Sequence, residues 1–187
     1  MDIARRELIR IMSDKNGIKF SNRRVGRAVF MCLVCAFLGA CSPDGAERVL
    51  DQFPTLELSL GDSVVRLPDE LPSGGWKGMI LVKFDTDCHL CHDKAASMEK
   101  ERDVLEPFMI VMVSSQPFEK VESFAKQYGW SSQSNILYGS VSEELFYETF
   151  QVVGSPTTLL FDKTGKEVYR FDGNPSLKPI LPAFFKE

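Results

Sequence analysis

Histidine is nearly absent from this chain: only two of its 187 residues are His, at positions 89 and 92. A closed structural zinc site normally gathers Cys or His from two separated loops, and the body of the chain offers no second Cys/His pair, which argues against that class. Long apolar runs are also missing. The longest, Ala28–Leu38, has 11 residues and is too short to span a bilayer as a helix. No glycine-rich loop leads into a helix, so a nucleotide-phosphate cradle is not encoded, and Asp162–Gly165 reads as a hairpin turn. No internal repeat is present. Positive charge is scarce outside the leader: residues 1–40 hold eight basic and three acidic side chains, leaving 14 basic and 23 acidic, a net −9, for the rest. Such an acidic body repels phosphate and excludes nonspecific nucleic-acid binding. What remains, 44% hydrophobic and 26% charged with a mean hydropathy of −0.10, is one ordinary globular domain plus some extra chain, and not a disordered one.

The extra chain reads as an address. Basic residues up to Arg27 precede the apolar run, and Leu38-Gly39-Ala40-Cys41 follows it, so residues 1–40 have the order of a signal peptide. The tetrad resembles the bacterial lipobox, which implies that Cys41 is acylated and becomes the first mature residue. Each buried CH2 of the acyl chains would contribute about 0.8 kcal/mol to anchoring. Cys32 and Cys35 lie inside the apolar core and would leave with it. Met12 as a start would give the leader a conventional length. Residues 41–53 read as a tether. The expected location is extracytoplasmic, lipid-anchored to a bacterial membrane. Ser42, in place of the aspartate associated with inner-membrane retention in enterobacterial lipoproteins, makes the outer membrane a plausible destination.

Residues 54–187 read as alternating elements. Leu56–Leu60 and Ser63–Leu67 form a hairpin around Gly61-Asp62. Met79–Phe84 and Phe108–Val113 are short apolar runs typical of buried strands. Between them a helix is expected from Cys88 to about Leu105, stopped by Pro107. Ser115-Gln116-Pro117 opens a second helix with Val121, Phe124, Ala125 and Tyr128 on one face, ended by Gly129. Asn135–Tyr138 reads as a short strand at most, Glu143–Phe150 as a short helix, and Thr157–Phe161 with Glu167–Phe171 as a hairpin. Leu177–Phe185 is helical only weakly, with Pro182 inside it. Trp76 and Trp130 are expected at the edge of the core, and Glu99–Asp103 on a solvated helix face. The fold class is therefore α/β: a mixed sheet flanked by helices, with an N-terminal hairpin extension.

The chemistry concentrates in Cys88-His89-Leu90-Cys91, between a buried strand and a helix. Unpaired backbone N–H groups at a helix start stabilise a thiolate, so Cys88 suits attack on a disulfide, and Cys91, one turn on and less exposed, suits resolution of the mixed disulfide. Three other readings stay open. Cys88–His92 also spells CxxCH, the c-type haem attachment pattern, with His92 as axial ligand. Two thiolates beside imidazoles could hold Cu(I) in a copper-handling protein. A purely structural disulfide is a poor explanation, since so small a loop adds little stability.

Phe84–Cys91, followed about sixty residues later by Val153-Gly154-Ser155-Pro156-Thr157 and the rest of that strand, resembles the thioredoxin-like superfamily, and within it the membrane-anchored thiol-disulfide oxidoreductases of the TlpA/ResA type. The resemblance implies a redox-active disulfide at Cys88 and Cys91, no cofactor, and a reductase direction. It further implies a cis-proline at Pro156 beside the pair, with Ser155 contacting substrate. Expected partners are the thiols or disulfides of exported proteins and a membrane redox partner. Where such proteins carry an aromatic residue before the first cysteine, this chain has Asp87. Where thioredoxins keep a buried acid, it has Lys83, so Asp85 and Lys83 are the candidate proton acceptors for Cys91. Asp87 should raise the Cys88 pKa, and a protonated His89 should oppose it and make the site more oxidising. His92 is expected to face solvent.

Overall fold

A computed structural model describes residues 49–71 and 74–185. The expected leader, Cys41 and most of the tether lie outside the described residues, all of which belong to the compact unit Ala46–Glu187.

The two apolar runs form β3 (Gly78–Lys83) and β4 (Met109–Ser114), six residues each and buried throughout. They pair in parallel, Ile80 opposite Ile110, and β3 is flanked on its other side by antiparallel β6 (Thr157–Asp162). With the hairpin β1 (Leu56–Ser59) and β2 (Val64–Leu67), the strand β5 (Ile136–Ser140) and the last strand β7 (Glu167–Asp172), they make one seven-stranded sheet ordered β2-β1-β5-β4-β3-β6-β7.

Alternation along the strands sorts the core into two layers, because successive side chains leave a strand on opposite faces. Ile80, Val82 and Phe84 with Ile110 and Met112 meet helix α1 (His89–Lys100), through Cys91, Ala95 and Met98, and helix α3 (Phe118–Gln127), through Val121, Phe124 and Ala125. Met79, Leu81, Met109, Val111 and Val113 meet Phe146 and Phe150 of helix α4 (Glu143–Phe150) together with Leu50 and Phe53. The N-terminal hairpin joins this sheet through a single pair, Ser59 with Ser140. Gly139 permits that approach: a Cβ there would lie 2.6 Å from the Ser59 carbonyl oxygen.

Four local expectations change. The helix expected to reach Leu105 breaks at Glu101, whose carboxylate turns to accept from the backbone N–H of Leu177 at 2.8 Å; a separate turn, α2 (Arg102–Leu105), follows. Glu101 is thus tied to the tail and not solvated with its neighbours. The Asn135–Tyr138 segment is a regular strand, β5, pairing with β4 along five residues, and its polar and glycine content hid this from a pattern search. The tail is helical only in α5 (Leu181–Phe184), where Pro182 falls in the first turn and costs no hydrogen bond. Trp130 is 1% exposed and central, with Phe84 at 5.6 Å and Phe124 at 5.4 Å between ring centroids.

Candidate redox site

Cys88 is the N-cap of α1, in extended conformation, with the backbone N–H groups of Cys91 and His92 donating to its carbonyl. Its side chain is half-buried, whereas Cys91 is 1% exposed; both are free thiols. The segment before β6 comes to the same place. The Ser155–Pro156 peptide is cis, and the Cys88 thiol lies 3.7 Å from the Ser155 carbonyl oxygen, to which it donates. Residues 67 positions apart thus meet at the sulfur, because β6 runs antiparallel to β3 and starts where β3 ends.

Burial pushes the Cys91 thiol up to about 12, helped by hydrogen bonding to Cys88 and by the Asp85 charge. Only the Asp85 backbone N–H, donating to Cys91 Sγ at 3.3 Å, acts the other way. The Asp85 carboxylate is occupied by the N–H of Asp87 and by Gln116 Nε2 at 2.9 Å. Gln116 also donates to Asp87 Oδ2 at 3.1 Å and accepts from the Thr86 hydroxyl, so one side chain grips three consecutive residues of the loop before Cys88. Lys120 donates to Asp87 as well, and these hydrogen bonds, the lysine's first, hold the Asp87 carboxyl below its ordinary range. The charge before the cysteine is therefore directed to Lys120.

The two imidazoles are placed opposite to expectation. His92, expected in solvent, is half-buried against Phe124: its Nε2 donates to the Thr86 carbonyl at 2.9 Å, which leaves Nδ1 to face the Tyr128 hydroxyl at 2.8 Å. His89, expected to modulate Cys88, is 89% exposed, with Nδ1 3.6 Å from Asp93. The spacing is the reason: position i+4 from the N-cap turns back over the preceding loop, while i+1 points outward.

Lys83 is likewise not beside Cys91. Its side chain is 4% exposed on the opposite face of β3, where Nζ pairs with Glu143 and donates to the Val153 carbonyl at 2.9 Å. Gln116 and Lys120 were not singled out from the sequence as partners of this site, and His92 only as a haem ligand. The signal for the first two was topological: β4 is parallel to β3, so the segment after β4 must lie beside the loop after β3.

With both His92 nitrogens engaged inside the fold, the residues present do not fit an axial haem ligand. Among the described residues no group of three or more His, Cys, Asp or Glu is placed to hold a metal, so the copper reading lacks a further ligand.

The model of the thioredoxin-like domain matches residues 69–184. The chain belongs to the thioredoxin-like domain family. Solved structures with the same fold include a putative thiol:disulfide interchange protein DsbE from Chlorobium tepidum, 19% identical, with 74% of this chain and 98% of that one covered and a TM-score of 0.59. A putative protein disulfide isomerase from Bacteroides thetaiotaomicron is 23% identical, covering 76% and 92% with a TM-score of 0.57. The thioredoxin domain of a thiol-disulfide oxidoreductase from Bacteroides vulgatus is 18% identical, covering 74% and 99% with a TM-score of 0.59. No curated protein matches the chain. Within this thioredoxin-like domain, the seven-stranded mixed sheet is as expected, and the polar grip of Gln116 on Asp85–Asp87 stands where an aromatic residue was looked for.

Proposed function

We propose that this thioredoxin-like protein is a thiol-disulfide oxidoreductase acting as a reductase on exported proteins. The observation that carries the reading is the pairing of a half-buried Cys88 at a helix start with a fully buried Cys91, facing the Ser155–Pro156 segment. In the first step the Cys88 thiolate attacks one sulfur of a substrate disulfide; the substrate S–S bond breaks and one substrate thiolate leaves. Cys91 then gives up its proton, attacks Cys88 Sγ, and releases the second substrate thiolate. The substrate gains two electrons and two protons, and the pair becomes a disulfide, to be reduced again by a membrane-side dithiol. Ser155 supplies backbone contacts to the substrate and Pro156 shapes the groove. A thiol:disulfide interchange protein and a thiol-disulfide oxidoreductase among the structural neighbours support this chemistry.

The reductase direction is supported by charge. A strongly oxidising pair is one whose reduced form is stabilised. Here His89 and Lys120, the cations that could stabilise a Cys88 thiolate, are turned to Asp93 and Asp87. A reduction potential measured against glutathione is expected near the thioredoxin end, about −270 mV, and a value near −120 mV would overturn the direction.

For location, the lipobox order of Leu38–Cys41 supports a lipid anchor on Cys41, with residues 41–53 as tether and the thioredoxin-like domain facing an extracytoplasmic compartment. No helix among the described residues is long and apolar enough to cross a membrane. Fatty-acid labelling of the chain is expected to vanish in Cys41→Ser, which should accumulate unprocessed; normal processing of that variant would remove the anchor.

A further inference from the structure

Between α4 and β6 the chain runs from Gln151 to Pro156 without regular structure, yet it must present the Ser155 carbonyl to Cys88. Val152 and Pro156 are buried, and a cavity of about 210 Å³ lies against Gln151–Gly154, Thr157 and Arg170–Asp172. Thr157 Oγ1 of β6 donates to the Gly154 carbonyl at 3.1 Å and the Gly173 N–H to the Pro156 carbonyl at 2.7 Å, while at Val153 the bond comes from β3. Lys83, at the end of β3, donates from Nζ to the Val153 carbonyl at 2.9 Å. The same ammonium pairs with Glu143 at the start of α4 and lies 5.6 Å from the centre of the Phe146 ring. Burial of the Glu143 carboxyl is outweighed by the hydrogen bonds from Lys83 and Ser115, leaving it below its ordinary range. Turning the Val153 carbonyl inward leaves its side chain outward, 73% exposed. Leu90, 53% exposed between the two cysteines, is the apolar counterpart on the other segment that meets at Cys88.

We propose that Lys83 is a positioning residue for substrate recognition: its bond to the Val153 carbonyl fixes the Val153–Pro156 segment so that Val153 and the Ser155 backbone form one wall of the groove for an apolar stretch of a substrate polypeptide. The proposal rests on Cys88 and Cys91 being the redox pair. It places Lys83 behind the substrate wall and away from the sulfurs, so recognition and electron transfer should separate on its removal. A flexible wall costs ordering on binding, which raises KM for extended substrates.

The test uses the full chain in detergent, with dithiothreitol as reductant and two substrates, insulin as a protein disulfide and glutathione disulfide as a small one. In Lys83→Met the KM for insulin is expected to rise about tenfold, with kcat within twofold and the reduction potential unchanged. Lys83→Arg, which can still donate to Val153, should recover most of the loss. An insulin KM within twofold of the native value in Lys83→Met would overturn the proposal, as would an equal loss on both substrates with a shifted potential. If Lys83→Met does not fold, Glu143→Gln decides: it keeps the bond to Val153, so its KM should stay within threefold, and a tenfold rise would overturn the proposal. A native chain that reduces neither substrate would instead refute the function on which the proposal rests.

Discussion

Cys91→Ser is expected to accumulate mixed disulfides with partner proteins, while Cys88→Ser accumulates none and reduces disulfides no faster than the uncatalysed exchange. The asymmetry follows from exposure. Cys88 is half-buried at the helix start and reachable, whereas Cys91 is sealed at 1% exposure beneath it. Without Cys91 the covalent complex must wait for an external thiol instead of a neighbour held in place, and the advantage of a positioned nucleophile is large enough that its lifetime should lengthen by at least about a thousandfold. The Asp85 N–H that donates to the Cys91 sulfur can donate to a serine hydroxyl oxygen equally well, so the variant should fold. Non-reducing electrophoresis after acid quenching reads the result directly. Equal trapping by both variants would mean that the roles are not divided between the cysteines.

Lys94→Met is expected to stabilise the protein at pH 7, by about 1–2 kcal/mol in urea unfolding. Lys94 is 1% exposed on α1; Nζ has the Pro175 carbonyl at 3.2 Å and the Phe171 ring at 5.0 Å, and burial lowers its pKa from 10.5 to about 8 against the opposing charge of Glu101. Because the folded value lies below the unfolded one, the unfolded chain binds more protons between pH 8 and 10.5, and native stability rises with pH across that window. At about 1.4 kcal/mol per pH unit the full gain is roughly 3 kcal/mol, which is what the ammonium costs near neutrality. The lost hydrogen bond and ring contact return about 1 kcal/mol of that. The advantage of the methionine variant should therefore shrink as pH rises through 8 towards 10.5. A variant that is less stable at pH 7, with the same pH profile as the native chain, would show that the buried ammonium contributes net stability.

Much of the architecture was legible because its signals are local. The buried strands β3 and β4 declare themselves as runs without a polar face, the α3 apolar stripe recurs at helical spacing, and Gly129, at φ +68°, stops that helix where a side chain would be strained. Cys88 and Cys91 were legible for the same reason, since four residues at a strand-to-helix junction need no distant partner to be recognised. Glu101 was misplaced and the extent of β5 understated because their conformations are set from outside: one carboxylate reaches a backbone N–H 76 residues away, and one plain segment is held as a full strand by lying between β4 and the hairpin.

The sequence by itself determined a mixed α/β domain and the Cys88–Cys91 pair at a strand-to-helix junction, because each is encoded in contiguous residues whose pattern carries its own physical reason, whereas Ser155–Pro156 was expected beside the pair through the family resemblance alone. Only the tertiary structure decided which charged and polar side chains serve that pair. Periodicity says which face a residue occupies but not which neighbour meets it there, so His92 rather than His89 turned inward, Lys83 went to Val153 and Glu143 rather than to Cys91, and Gln116 came from the neighbouring parallel strand to hold the loop. A long polar side chain has several partners within reach, and the choice among them is made by packing and desolvation once the sheet has brought the strand ends together.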